Sequence, residues 1–149
     1  MSRYKCSLLV VDDEPSILDT LKIFLSPEFD VLTADCADAA QKHFANREID
    51  LILTDQKMPR VSGVQLLEWV KEHSPKTIRL MMTGFAELEE TINRVPCDLV
   101  LVATPIDLAR LITLNKPSLR VTYEVEDLTH PGLAEILVRF TRERTGVGV

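Results

Sequence analysis

The sequence predicts an α/β domain built on a doubly wound parallel sheet, and three observations carry that expectation. Short strand-like runs bounded by turn signals recur at Leu8–Val11, Phe29–Ala34, Leu51–Leu53, Ile78–Met82 and Leu99–Ala103. Most of them are continuously apolar, as strands covered on both faces are. A segment with apolar residues at helical spacing follows each run, and regular alternation with short connections calls for parallel strands. Finally, Asp12, Asp13, Asp55 and Thr83 each stand just at or beyond the end of a strand. Right-handed crossovers bring all of these ends to one edge of the sheet, where open α/β sheets bind ligands.

Taken in order, the first strand runs into Asp12, Asp13, Glu14 and Pro15. Proline suits the first turn of a helix, and Ile17, Leu18, Leu21, Phe24 and Leu25 continue it until Pro27 stops it. The second strand leads to a helix over Cys36–Asn46 with Ala37, Ala40 and Phe44 on one face. The third strand ends in Asp55, and Met58-Pro59 and Gly63 break the chain before a helix over Val64–Glu72. The fourth strand reaches Thr83-Gly84, and a short helix over Glu87–Val95 ends at Pro96. The fifth strand reaches Thr104-Pro105, with a helix over Ile106–Leu114 beyond it.

The remainder is patterned differently. Leu119, Val121, Tyr123 and Val125 alternate with Arg120, Thr122, Glu124 and Glu126, the signature of a half-buried strand. A helix with Leu133, Ile136, Leu137 and Phe140 on one face follows His130-Pro131-Gly132. The chain is therefore expected to divide into a main domain over residues 1–114 and a strand-helix extension over 115–149. The extension is packed on that domain or on a partner chain. Its strand most economically pairs beside the fifth strand, and self-association of the tail, giving a homodimer, is expected there.

Composition narrows the function classes. With 149 residues, 46% hydrophobic and 27% charged, the chain can bury a real core in one domain. A net charge of -6, and a tail whose positive and negative residues balance, argue against direct nucleic-acid binding. Cys6, Cys36 and Cys97 are dispersed, without CxxC spacing, as reduced thiols in a cytoplasmic protein are. No run approaches the roughly 18 apolar residues that cross a bilayer, so no membrane partner is expected. The glycines form neither GxGxxG nor a P-loop. His43, His73 and His130 share no ligand spacing, and Trp69 and Met81-Met82 fit packing positions. No nucleophile paired with a histidine points to hydrolase chemistry.

Three carboxylates on adjacent strand ends repel one another unless a cation lies between them. Hard oxygen ligands with open positions suit Mg²⁺, which retains waters and accepts a phosphate oxygen. Asp12, Asp13 and Asp55 are the candidate ligands, and the backbone carbonyl of Lys57 supplies one more oxygen. Asp55 can then act as a nucleophile toward a phosphoryl group, with Thr83 hydrogen-bonding one phosphoryl oxygen.

The stretches VVDDEPSI, LILTDQKMPRVSGVQLLEW and MMTGF resemble the receiver domain of two-component response regulators, with the match running from about Ser7 to Leu114. The resemblance implies a flavodoxin-like five-stranded sheet of order 2-1-3-4-5, with the C-terminal strand and helix added. It implies that Asp55 is the phosphoacceptor, that Asp12 and Asp13 hold Mg²⁺, and that Thr83 is the switch hydroxyl. It also implies a histidine kinase or phosphotransfer protein as donor and a downstream protein as target. The chain is then a phosphoacceptor signalling domain rather than an enzyme, one that at most catalyses its own phosphorylation and dephosphorylation. Two positions depart from the pattern. Thr104 stands where the family has a lysine that binds the phosphoryl oxygen, and Leu101 where it has an aromatic switch residue. Lys116-Pro117 carries the family's dipeptide about a dozen residues late. A phosphorylation-driven signalling module is the leading expectation. A receiver-like interaction scaffold with impaired switching is the alternative. An aspartyl-phosphate phosphohydrolase would need a general acid where Lys57 stands.

Overall fold

The apolar runs Ser7–Val11, Leu51–Asp55 and Leu99–Val102 form strands because both of their faces are covered. In the computed structural model, which describes residues 5–83, 93–102, 113–121 and 133–145, the strands are β1 (Ser7–Val11), β2 (Asp30–Ala34), β3 (Leu51–Asp55), β4 (Ile78–Thr83), β5 (Leu99–Val102) and β6 (Ser118–Arg120). The helices are α1 (Pro15–Leu25), α2 (Ala37–Asn46), α3 (Gly63–His73) and α4 (Leu133–Thr145). The expected helices over Glu87–Val95 and Ile106–Leu114 fall largely outside the described residues, as does the expected strand beyond Val121.

The strands form one sheet in the order β2-β1-β3-β4-β5-β6, and every neighbouring pair is parallel. The expected order 2-1-3-4-5 thus holds, with the extra C-terminal strand added beside β5. Its pairing is brief, Val100 to Val102 opposite Ser118 to Arg120. Val121 extends it by donating its backbone N–H to the Val102 carbonyl at 2.8 Å.

Period-two alternation sorts the strand residues between two cores. Leu9, Val11, Ile52, Met81, Val100 and Val102 pack with Ala37 and Ala40 of α2 and with Leu66, Leu67 and Val70 of α3. Leu8, Val10, Leu51, Leu53, Leu80 and Leu101 pack on the opposite side with Leu18 and Leu25 of α1 and Leu137 and Val138 of α4. Each fully buried leucine here contributes roughly 1.5–3 kcal/mol relative to exposure. Leu101 is fully buried in this second core. At the position where the resemblance calls for an aromatic switch residue, the side chain is thus a packing residue between sheet and helices.

The tail is tied to the sheet by charge as well as by packing. Arg144 of α4 donates to Asp98 Oδ1 at 2.6 Å, while Asp98 Oδ2 accepts from the Arg79 backbone N–H at 3.0 Å. The Arg144 guanidinium also lies 5.3 Å from the centre of the Phe140 ring. Trp69 packs edge-on against Phe44 and stacks on His73, so it is a structural aromatic, as its sequence position indicates. Cys6 and Cys97 are buried and all three cysteines are free thiols.

Candidate functional site

β1 delivers Asp12 and Asp13 to the carboxyl edge. The Asp12 backbone N–H is still bound to the Ala34 carbonyl at 3.2 Å, as a continuation of the sheet. The chain then turns, and Asp12 Oδ1 accepts the Glu14 backbone N–H at 2.9 Å. Glu14 starts α1, its carbonyl accepting from Ile17 and Leu18, with Pro15 in the first turn. The turn fixes one Asp12 oxygen and leaves the other for a ligand.

β3 delivers Asp55 to the same edge, and the loop to α3 wraps round it. Asp55 Oδ2 accepts the Lys57 backbone N–H at 3.2 Å, and the Gln56 carbonyl accepts the Gly63 N–H at 3.1 Å. A Cβ on Gly63 would fall 2.0 Å from the Asp55 carbonyl oxygen, so only glycine lets the start of α3 press against this backbone. Ser62 and Gln65 close a reciprocal capping box that sets where α3 begins. Between these points Arg60 adopts φ 69°, at the centre of a three-residue turn closed by the Val61 N–H on the Pro59 carbonyl at 2.8 Å. Left-handed backbone at a non-glycine residue is strained.

Asp12, Asp13 and Asp55 converge, with ligand-capable oxygens all within 4.8 Å of one another. Asp12 is almost fully buried, and its removal from water, opposed by the Glu14 N–H and reinforced by Asp55, Asp13 and Glu14, pushes its carboxyl up to about 6. Burial likewise raises the Asp55 carboxyl. The Gln56 and Lys57 backbone N–H groups oppose the shift, Asp13 adds to it, and the Lys57 charge lowers it. Such crowding of like charge in a partly desolvated pocket fits a hard divalent cation with oxygen ligands.

Thr83 ends β4 and is buried. Asp55 pairs with Met82 across the sheet, so Thr83 stands one step beyond Asp55 on the neighbouring strand. The sequence-predicted residues Asp12, Asp13, Asp55, Lys57 and Thr83 therefore share one edge. Lys116 does not join them. The β5–β6 register sets Ser118 opposite Val100, which puts Lys116 level with Asp98 at the far edge. Four residues of strand, roughly 13 Å, separate that level from Val102. The Lys116 ammonium donates to the Asn93 carbonyl and to Asn115 Oδ1. Thr104 lies outside the described residues.

In the sequence Gly63 marks only a break in the chain, and Ser62 carries no expectation. The Ser62-to-Gln65 spacing was the available signal for the cap. Nothing in the sequence marks Arg60 as left-handed.

Comparison with known proteins agrees with this geometry. Residues 8–114 match the response regulator receiver domain family. Among curated relatives, the hydrogenase transcriptional regulatory protein HoxA of Cupriavidus necator is 38% identical over 95 residues, covering 64% of this chain and 20% of that protein. The response regulator protein PilR of Pseudomonas aeruginosa is 33% identical over 123 residues, covering 81% and 27% respectively. The chain thus spans less than a third of the length of these relatives. A response regulator receiver domain protein from Clostridium thermocellum superposes with a TM-score of 0.63 at 26% identity, covering 95% of this chain and 97% of that one. A CheY-like receiver domain protein from Methanospirillum hungatei JF-1 gives 0.62 at 30% identity, covering 72% and 88%.

Proposed function

Because the chain belongs to the response regulator receiver domain family, the signalling domain of two-component systems, we propose that Asp55 is its phosphoacceptor. The donor is a phosphohistidine on a histidine kinase or a phosphotransfer protein. An Asp55 carboxylate oxygen attacks the phosphorus as the P–N bond breaks. The bonding pair returns to the imidazole nitrogen, which takes up a proton from solvent, and the phosphoryl group remains on Asp55. The observation that carries the reading is the convergence of Asp12, Asp13 and Asp55 within 4.8 Å.

Mg²⁺ fits this set of oxygen donors, and Asp12, Asp13, Asp55 and the Lys57 carbonyl are the residues that would hold it. When bound, it neutralises charge on the transferred group. The Lys57 N–H fixes the Asp55 carboxylate against rotation. Thr83, one step beyond on β4, offers a hydroxyl to a phosphoryl oxygen and so links phosphorylation to the surface around β4 and β5. That surface engages a downstream protein.

We assign residues 1–114 to the receiver and 115–149 to an extension packed on it through β6 and α4, and we place a homodimer contact along that extension. Among the described residues no helix is long and apolar enough to cross a membrane. A cytoplasmic location fits the three free thiols. A second reading, a receiver-like scaffold with impaired switching, is favoured by the buried Leu101 and by Thr104.

Intact-mass measurement after treatment with acetyl phosphate and Mg²⁺ tests the proposal. One added phosphoryl group on wild type and none on Asp55→Asn is the expected result. Equal labelling of both proteins, or none of wild type, overturns it. Labelling without any change in the amide spectrum of β4 and β5 selects the scaffold reading.

A further inference from the structure

Resting on the phosphoacceptor reading, we infer that the Lys57 ammonium holds the phosphoryl oxygens on Asp55, in place of the lysine that Thr104 lacks. The charge count demands such a group. A phosphoryl group carries about two negative charges near neutral pH, and Asp12 and Asp13 add one each. A divalent cation offsets only half of that total. Thr104 stands in the sequence where the receiver family carries the lysine that would supply a further positive charge. Lys116 is engaged at the opposite edge of the sheet with the Asn93 carbonyl.

Among the described residues, the carboxyl-edge loops carry two cations, Lys57 and Arg60, both exposed. Lys57 is the better placed. Its backbone N–H lies 3.2 Å from Asp55 Oδ2, which roots its flexible side chain beside that carboxylate. Its charge already favours the ionised form of Asp55. Arg60 is three residues further along and fixed in a left-handed turn by the Val61-to-Pro59 bond. An ammonium is also a compact point charge on a flexible stem, suited to following a phosphoryl group as it arrives. The same loop thus supplies a backbone donor, a backbone carbonyl and a cation.

Beryllofluoride, which mimics a phosphoryl group on a carboxylate, tests this in the full chain with Mg²⁺, read by ¹⁹F NMR and calorimetry. Lys57→Gln should weaken its affinity about tenfold or more, the scale of losing a charge-assisted hydrogen bond. Lys57→Arg should stay within about threefold of wild type, and Arg60→Gln within about twofold. Adding Thr104→Lys to Lys57→Gln should restore most of the loss, which a merely structural role for Lys57 would not allow. Wild-type affinity in Lys57→Gln overturns the inference and leaves the phosphoacceptor reading standing, and so does a larger loss in Arg60→Gln. Absence of binding to wild type together with no labelling by acetyl phosphate overturns both.

Discussion

Replacing Asp12 by asparagine should make the metal-free protein more stable while removing its response to Mg²⁺. Asp12 is 2% exposed and its carboxyl is raised from 3.8 to about 6, chiefly by burial and then by Asp55, Asp13 and Glu14, against the pull of the Glu14 N–H. The sign follows from proton counting. Between those two values the folded state keeps a proton that the unfolded state has lost, so stability falls as pH rises through this window. Above it, ionised Asp12 costs the fold the whole difference. At about 1.4 kcal/mol per pH unit this amounts to at most about 3 kcal/mol, and relaxation of the side chains brings the expected gain to about 1–3 kcal/mol. Asparagine keeps an oxygen that can accept the Glu14 N–H, so the turn into α1 survives. Urea unfolding at pH 7.5 with a chelator, followed by the fluorescence of Trp69, measures the difference. Repeating it at pH 4 should bring the two proteins nearly level. An Asp12→Asn protein no more stable than wild type at pH 7.5 would refute the argument that this carboxylate is held against its preference.

Four further outcomes follow from the same geometry. Mg²⁺ affinity should decline about tenfold per pH unit once the pH drops below about 6, where Asp12 takes up a proton, and calorimetry across pH 5 to 7.5 checks it. Gly63→Ala drives a methyl group to 2.0 Å from the Asp55 carbonyl oxygen, so it should cost about 1–3 kcal/mol or more in urea unfolding and slow labelling of Asp55. Arg60→Gly removes the penalty at φ 69° and should stabilise the fold by about 1 kcal/mol in the same assay. Cutting the chain after Leu114 strips Leu137 and Val138 from the α1-side core and uncovers the β5 edge. Light scattering should then show aggregation or a lower assembly mass, and a soluble, folded fragment of unchanged assembly state would make the tail a passive appendage.

The residue pattern by itself determined the parallel layered architecture and the residues of the acidic edge, while the strand order came from the resemblance of the motifs to a receiver domain. Leu8–Val11 and Leu51–Leu53 are apolar on both faces, as strands covered on both sides of a parallel sheet are, and the acids at their ends, with Thr83 at the end of the Ile78–Met82 run, then share one edge. Thr104 and Lys116 show where that logic stops. Spacing along the chain left Lys116 as a possible substitute for the missing lysine, because distance in sequence does not say at which end of a strand a residue sits. The parallel pairing of β6 with β5 decided it, since it enters the sheet with Ser118 opposite Val100 and so leaves Lys116 at the far edge. Only the tertiary structure likewise put α4 in the α1-side core, because an amphipathic helix specifies that it has a partner but not which one. The mutual approach of Asp12, Asp13 and Asp55, the backbone contact at Gly63 and the left-handed Arg60 are likewise products of folding. They arise where elements distant in sequence press together, and no local propensity encodes the distance between them.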